Sequence, residues 1–544
     1  MSSKAYFPRG NANWRDDHEP IATTQWMGAD KIVKWFGAKE RGVSPFFFGK
    51  MDDEGTCRYL SHDDDSGIVT IAGSRAGKGV SLIAPNLLSY KGPVLVLDLK
   101  GENASISATW RKDKLKQSVY VFDPYGQTDF PSASLNLLSF YDPRDPEFID
   151  DITELAEAMI VRGNENDPHW NESARSVIKM VMVYLVISGS DAEKNLVTMR
   201  ALILNGQSKS QKQGYQPPTF YYDEELSEEE NEIIRLDIEE EIWSDQQASF
   251  YQFLKNLADH DDQYVSGTAQ RLLQAGDRER GSIISSVQRH TEFLDSPCIQ
   301  RVLKRNEFDL KKLRHSSIYL VLPERRLDGQ DRWLRMVITL MLKQLQTDKK
   351  KSKSDPSMLV VLDECAILGN MPVLARAASY ASGFGVKLWT IWQDLSQLQK
   401  NFDKGYETFI GSAGIFTAFG NIDLTTLEYI SKRLGKCETP RLEENYSGSA
   451  SRNQNQAGFD HAQKSLTALI DSGGSTSESD SYNIRPSYVI SPLLLPEEIA
   501  RYFGKSTGKI LVLFGQGQPV WAERIKYYED APFCERAGVN PFFD

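Results

Sequence analysis

The run Thr70-Ile-Ala-Gly73-Ser-Arg-Ala-Gly77-Lys78-Gly79-Val80 places glycines and a lysine between an apolar stretch and the helical run Leu82 to Leu88. Glycines let backbone amides approach a phosphate. A lysine at Lys78 can reach the β and γ phosphates of a nucleotide, and the following helix N-terminus adds favourable dipole charge. The expected phosphate-binding residues are therefore Gly73, Ser74, Arg75, Ala76, Gly77, Lys78, Gly79 and Val80. Two positions depart from the strict pattern. Ala72 stands where the first glycine belongs, and Gly79 replaces the Ser or Thr whose hydroxyl binds magnesium, leaving Ser81 or Ser74 as substitutes.

Two further apolar runs end in groups suited to the same chemistry. Met358 to Leu362 leads into Asp363-Glu364, where one carboxylate can hold Mg2+, directly or through water, and the other can act as base toward a water molecule. Asp363 is expected as the metal ligand, with Ser81, and Glu364 as the base. Val386 to Trp392 ends in Gln393, an amide placed to sense a γ-phosphate or orient the attacking water. Taken singly, each has a plainer reading: a glycine-rich turn, a capped strand end and an edge glutamine.

The elements that must position these groups follow from periodicity. Short apolar runs at 67–72, 93–99, 118–123, 316–322, 358–363, 386–392 and 412–419 are bounded by Gly, Asp or Pro. Most precede helical periodicity, the alternation that gives a parallel α/β sheet. Between the third and fourth runs the sequence shows helical stripes instead, such as Ile152-Leu155-Met159 and Ala174-Ile178-Met182, which predict an all-helical insertion. The expected organisation is a leading segment 1–60, an α/β nucleotide-binding domain of 61–150 and 313–530, an inserted all-α domain 151–312 and a tail 531–544. Within the second half, 441–487 is rich in Ser, Asn, Gln and Gly, predicting a loop, and 509–525 predicts a terminal hairpin. Residues 223–241, dense in carboxylates, predict an acidic-faced helix with Ile234, Ile238 and Ile242 on one stripe.

Composition bounds the partners. With 63 Lys and Arg against 75 Asp and Glu, the net charge is −12, so any nucleic-acid contact must be local. The five cysteines form no C-x-x-C pair and have no nearby His, which argues against structural zinc and for a reducing compartment. The longest apolar stretch, Met180 to Ile187, is far short of the roughly 20 residues of a membrane helix, and the N-terminus has no signal-peptide core. A cytoplasmic location is expected.

Together these motifs resemble the type IV secretion coupling proteins of the VirD4/TraG group. The resemblance rests on Ala72-Gly-Ser-Arg-Ala-Gly-Lys78-Gly79-Val80 with Ile83-Ala-Pro85-Asn86-Leu87-Leu88, and on Val96-Leu-Asp98-Leu-Lys100-Gly101-Glu102. It continues through Leu362-Asp363-Glu364-Cys-Ala-Ile-Leu-Gly369, Gly383-Phe-Gly385, Gln393-Asp394-Leu395-Ser396-Gln397-Leu398, Trp170-Asn171-Glu172, Ala174-Arg175 and Leu495-Pro496-Glu497-Glu498-Ile499, covering about residues 25 to 525. Ala72 and Gly79 also occur in this branch, so both departures become part of the resemblance.

It implies a RecA-like α/β fold and a hexameric ATPase using ATP and Mg2+. Lys78, Glu364 and Gln393 would be its catalytic residues, and the helical insertion would engage substrate or its adaptors. The implied partners are a relaxase with single-stranded DNA, or a secreted protein effector, and the components of a secretion channel. Members usually begin with a membrane anchor, and this sequence starts almost directly at the soluble part, as either a naturally anchorless member or a shortened chain would; recruitment to the inner face of the bacterial inner membrane through partners is the expectation. Some relatives also carry an arginine finger in the stretch corresponding to Ala381-Ser382-Gly383, where this chain has none, leaving Arg376, Arg278 and Arg280 as candidates. The competing readings are a nucleotide-binding scaffold with little hydrolysis and a double-stranded DNA translocase of the FtsK or HerA type. Turnover separates the first from a motor; the helical insertion and the Asp98-Leu-Lys-Gly-Glu102 run fit the second less well.

Overall fold

The computed structural model describes residues 24–37, 45–160, 168–206, a few residues between 227 and 235, and 249–348, 355–450, 478–515 and 517–542. These fall into two compact units, residues 27–427 with 500–544, and residues 1–26 with 428–499.

The larger unit is organised on one eleven-stranded sheet. Its strands are β1 (Phe46–Asp53), β2 (Thr56–His62), β3 (Gly67–Ala72), β4 (Val94–Asp98), β5 (Ser118–Phe122), β6 (Ser316–Val321), β7 (Met358–Leu362), β8 (Val386–Trp392) and β9 (Ala413–Phe419). The smaller unit contributes β10 (Lys436–Ala450) and β11 (Glu478–Pro492) as a separate ribbon, and β12 (Lys509–Phe514) and β13 (Val520–Glu523) return to the large sheet. The order is β2-β1-β13-β12-β9-β3-β8-β7-β4-β6-β5. The seven strands from β9 to β5 are parallel, and β12, β13, β1 and β2 extend the sheet antiparallel on the β9 side.

Every residue of β4, β6, β7 and β8 is buried, which is the pattern of a parallel sheet covered on both faces and the reason these strands are continuous apolar runs. Buried hydroxyls fix the centre. Thr70 and Thr417, paired in register across β3 and β9, share a 2.7 Å hydrogen bond, and the Trp389 indole N–H donates to the Thr70 hydroxyl at 2.9 Å. A one-residue slip would strand these buried polar atoms, so the register is strongly specified.

Between β5 and β6 the described residues are helical, in Phe148–Met159, Pro168–Ser188, Leu196–Asn205, 249–258, Gln263–Gln274, Asp277–Thr291 and Pro297–Leu303. Both sequence stripes, Ile152-Leu155-Met159 and Ala174-Ile178-Met182, are buried. The helix 148–159 meets the core through ion pairs of Asp151 with Lys343 and Glu154 with Arg376. Of the acidic stretch 223–241, the described residues Glu228, Asn231, Glu232, Ile234 and Arg235 are helical; Ile238 and Ile242 lie outside the described residues. No helix among the described residues is long and apolar enough to cross a membrane.

Two expectations change. The segment 1–60 is more than a lead-in: Phe46–His62 forms a hairpin that widens the sheet, and the fully buried Asn86 holds it by exchanging hydrogen bonds of 2.8 Å with the Phe47 backbone in both directions. Residues 441–450 and 478–487, expected as loop, pair residue by residue as an antiparallel ribbon from Lys436↔Pro492 to Ala450↔Glu478. The backbone ladder does not depend on large apolar side chains, so a Ser- and Asn-rich composition misleads there. Residues 451–477 lie outside the described residues.

Candidate functional site

Parallel strands deliver their following loops to one edge, and the expected residues gather there because of strand order. β8 lies between β3 and β7, so the loop after β3, the Asp363-Glu364 pair after β7 and Gln393 after β8 face one another.

The loop is shaped by steric limits. Ala72 is the fully buried last residue of β3 and takes no part in the turn, which begins at Gly73. A Cβ on Gly73 would lie 2.1 Å from the Gly420 carbonyl oxygen, so no other residue fits there without moving the loop. Gly77 has φ +88, a left-handed conformation that glycine adopts without penalty. Arg75 also lies at positive φ (54°). The helix that follows opens with a π-helical turn, Gly79–Ile83, before Ala84–Ser89 continues as α-helix. Open space surrounds Gly79, so its lack of a side chain is not a packing requirement.

Lys78 crosses to the carboxylates. Its Nζ lies 3.2 Å from Asp363 Oδ1 and donates to Glu364 Oε1, while Gln393 Nε2 donates to Glu364 Oε2 at 2.9 Å. Burial works to lower the Lys78 pKa, but Asp363 and Glu364 together outweigh it and hold the group above the ordinary lysine value, firmly protonated. Glu364 itself sits at φ 53, ψ 47, and its backbone N–H donates to Asp363 Oδ1 at 3.0 Å. A left-handed glutamate costs about 1–3 kcal/mol, and such strain concentrates where a side chain must be aimed. Lys78, Asp363, Glu364 and Gln393 are thus one connected cluster.

Ser81, expected as a metal ligand, is buried in the same loop, with its hydroxyl donated to the Gly77 carbonyl. Arg376 and Arg280, two candidate trans-acting cations, are engaged within the chain: Arg376 by Glu154, and Arg280 by Asp277 and the carbonyls of Leu273 and Ala275. Asp98, at the end of β4 beside β7, is fully buried and accepts the Ala104 N–H at 2.9 Å. Burial pushes its carboxyl up to about 7, with the neighbouring Asp363 and Glu102 adding to the effect.

The sequence reading missed Arg524, which follows β13. Because β13 runs in the same direction as β9, its end reaches the same edge as the phosphate loop. One Nη donates to the Ala76 carbonyl and the other to the Lys505 carbonyl, and the guanidinium carbon lies 5.1 Å from the centroid of the Phe419 ring. Its sequence signal was no more than a cation in the last residues of the hairpin predicted at 509–525.

The residues fit a nucleotide with magnesium. A left-handed glycine turn leaves room for phosphate, Lys78 stands beside it, and two carboxylates supply hard oxygen donors. No group of three or more His, Cys, Asp or Glu suited to a metal ion is present among the described residues.

Comparison with known proteins points the same way. A family model described as type IV secretory system conjugative DNA transfer matches residues 14–543. The chain is 22% identical over 555 residues to the conjugal transfer protein TraG of Escherichia coli, covering 97% of this chain and 78% of that protein. It is likewise 22% identical over 522 residues to the protein VirD4 of Agrobacterium fabrum, covering 94% and 67%. Among solved structures, the plasmid coupling protein TrwB in complex with the non-hydrolysable ATP analogue ADPNP superposes with a TM-score of 0.60 at 14% identity, covering 95% of this chain and 96% of that one. The same protein with ADP and Mg2+ gives 0.59 at 13% identity, covering 96% of each chain. At such identities the likeness concerns the fold, which is the RecA-like α/β class anticipated from the sequence.

Proposed function

This chain belongs to the type IV secretory system conjugative DNA transfer family, and we propose that it works there as an ATP-hydrolysing coupling protein. It would recruit a relaxase-bound single strand, a secreted protein, or both, and deliver the cargo to a secretion channel at the inner face of the bacterial inner membrane. The observation that carries the reading is the cluster in which Lys78 spans Asp363 and Glu364 while Gln393 holds the far oxygen of Glu364.

In this reading the lysine is held in store by the carboxylates. Arrival of a triphosphate offers Lys78 a stronger anionic partner, and its departure frees one oxygen of Glu364 to accept a proton from water and leaves Asp363 open to a cation. Magnesium, held by Asp363 with Ser81 as the nearby hydroxyl, would neutralise charge on the phosphates. Gln393 keeps Glu364 oriented through its remaining hydrogen bond and places an amide beside the attacking water. The loop residues Gly73 to Val80 would wrap the phosphates, and the helical segment 151–312 would act as a separate cargo-engaging domain.

We place the missing trans-acting cation on a neighbouring subunit of a hexamer; Arg376 and Arg280 are engaged within their own chain, which leaves Arg278 of the three candidates. Such an arginine is worth about 10³ to 10⁵ in rate in other phosphoryl-transfer systems. The test is a dilution series of the full chain with and without single-stranded DNA. Specific ATPase activity should rise with concentration and with DNA. A high, constant activity in a monomer, indifferent to DNA, would contradict both the shared site and the nucleic-acid cargo.

A further inference from the structure

Arg524 poses a question of charge. Its guanidinium is half-buried against Phe419 and the phosphate loop, no carboxylate pairs with it among the described residues, and its Nε–H is buried without an acceptor. Burial alone holds its pKa below the ordinary arginine value. A guanidinium partly withdrawn from water with a donor left unmet is costly, and an anion arriving beside it would offset that cost.

The backbone shows where that anion would be. Arg524 grips the Ala76 carbonyl, and in a trans peptide the carbonyl and the next N–H point to opposite sides, so the Gly77 N–H is turned away from the guanidinium. The position of a Cβ on Gly77 would be 3.7 Å from the nearer Nη, so the charge stands directly behind this peptide. The rest of the chain's end supports the same loop. Gly420, which packs on Ala76, donates its N–H to the Phe503 carbonyl at 2.6 Å. The Arg524 N–H is itself fixed by the Gly508 carbonyl at 2.7 Å, and the Tyr527 N–H reaches the Val80 carbonyl at 3.4 Å.

We infer that Arg524 is a positioning residue for the nucleotide: it locks the Ala76–Gly77 peptide with its N–H toward the phosphates and supplies a fixed in-chain positive charge behind the loop. This rests on the reading of residues 73–80 as the nucleotide site, and it assigns the last strand of the sheet a part in binding that the P-loop motif does not contain. The role concerns affinity more than chemistry. Arg524 is held back by carbonyls on both Nη atoms, whereas Lys78 is free to move from one anionic partner to another.

The experiment uses the full chain and three variants, R524Q, R524K and K78A, with ATP and magnesium as the probe. Calorimetric titration gives Kd, steady-state phosphate release gives KM and kcat, and thermal unfolding is followed with and without ATP. R524Q should raise Kd and KM about tenfold or more, with kcat changed less than about threefold. Its unfolding midpoint without ATP should stay near wild type while the ATP-induced upshift shrinks. R524K, which keeps the charge but not the two-pronged grip, should fall between R524Q and wild type. Wild-type Kd in R524Q alongside lost binding in K78A would overturn the role of Arg524 and leave the nucleotide site standing. Wild-type Kd in both would overturn the site itself. If R524Q does not fold, R524K decides: a weakened Kd supports the inference and an unchanged one overturns it.

Discussion

Arg111 and Arg524 both insert a guanidinium among backbone carbonyls, at opposite edges of one sheet, and they are satisfied to different degrees. At the amino-terminal edge Arg111 is fully buried. Its Nε–H donates to Ser317 Oγ at 2.7 Å, one Nη to the carbonyls of Leu87 and Tyr90 at 2.6 and 2.9 Å, and the other to the Gly92 carbonyl and Gln117 Oε1 at 2.5 and 2.8 Å. All five donors are used. Arg314, on the same edge, serves the carbonyls of Leu345, Asp348, Phe384 and Gly385. A cavity of about 740 Å³ opens there beside Arg314, Lys91 and Gln117, but its arginine has little left to offer a ligand. At the carboxyl-terminal edge the reverse holds. Arg524 keeps an unused donor, Lys78 is shared between two carboxylates that would each take another partner, and Glu364 is held at a strained backbone angle. Arg111 is thus scaffold, whereas Arg524 and Lys78 have networks that a ligand at this edge would complete.

That comparison predicts opposite outcomes for substitutions at the two edges. The largest effect on stability belongs to Arg111→Met. It leaves several buried carbonyls without donors and should cost roughly 3–5 kcal/mol in chemical denaturation, while the folded fraction still binds ATP with near wild-type affinity. A change in ATP affinity without loss of stability would erase the distinction. The smallest effect belongs to Asp98→Asn. Asp98 titrates at about 7 in the fold, well above the roughly 3.9 of an unfolded aspartate, so between those values the folded state binds more protons than the unfolded chain. Stability from this group is present at low pH and is lost as pH rises from about 4 toward 7. The amide variant should flatten that part of the curve, with a gain over wild type that is largest above pH 7. Parallel pH curves for the two proteins would show that the Asp98 carboxyl is not held neutral.

How much of this could be read from residues alone divides along the same lines. Seven parallel strands were legible because burial on both faces makes them unbroken apolar runs, and Lys78, Asp363, Glu364 and Gln393 were legible because each closes or follows such a run. β1 and β2 were not. They form an antiparallel hairpin whose outer residues, such as Thr56 and Arg58, are exposed, so no continuous apolar signal marks them. The ribbon of β10 and β11 was hidden by its polar composition. Arg111 sat unnoticed on a helix, since nothing local says that its side chain meets residues on two other elements. Arg524 was the hardest case: its contact with Ala76 joins residues 448 apart in sequence and depends on two antiparallel pairings, β9 with β12 and β12 with β13, that bring the end of β13 to the edge where the loop after β3 lies.

The central claim is that Lys78, Asp363, Glu364 and Gln393 form one centre in which Glu364 is the base for ATP hydrolysis. Its most direct test is magnesium-dependent phosphate release from ATP by wild type and Glu364→Gln, each at saturating ATP with single-stranded DNA present and with nucleotide occupancy confirmed by titration. The amide keeps the shape and the bond to Gln393 but accepts no proton. The variant should therefore bind ATP about as well as wild type, unfold at a similar temperature, and release phosphate about 10²- to 10⁴-fold more slowly. Phosphate release at the wild-type rate from a fully occupied Glu364→Gln protein would contradict it.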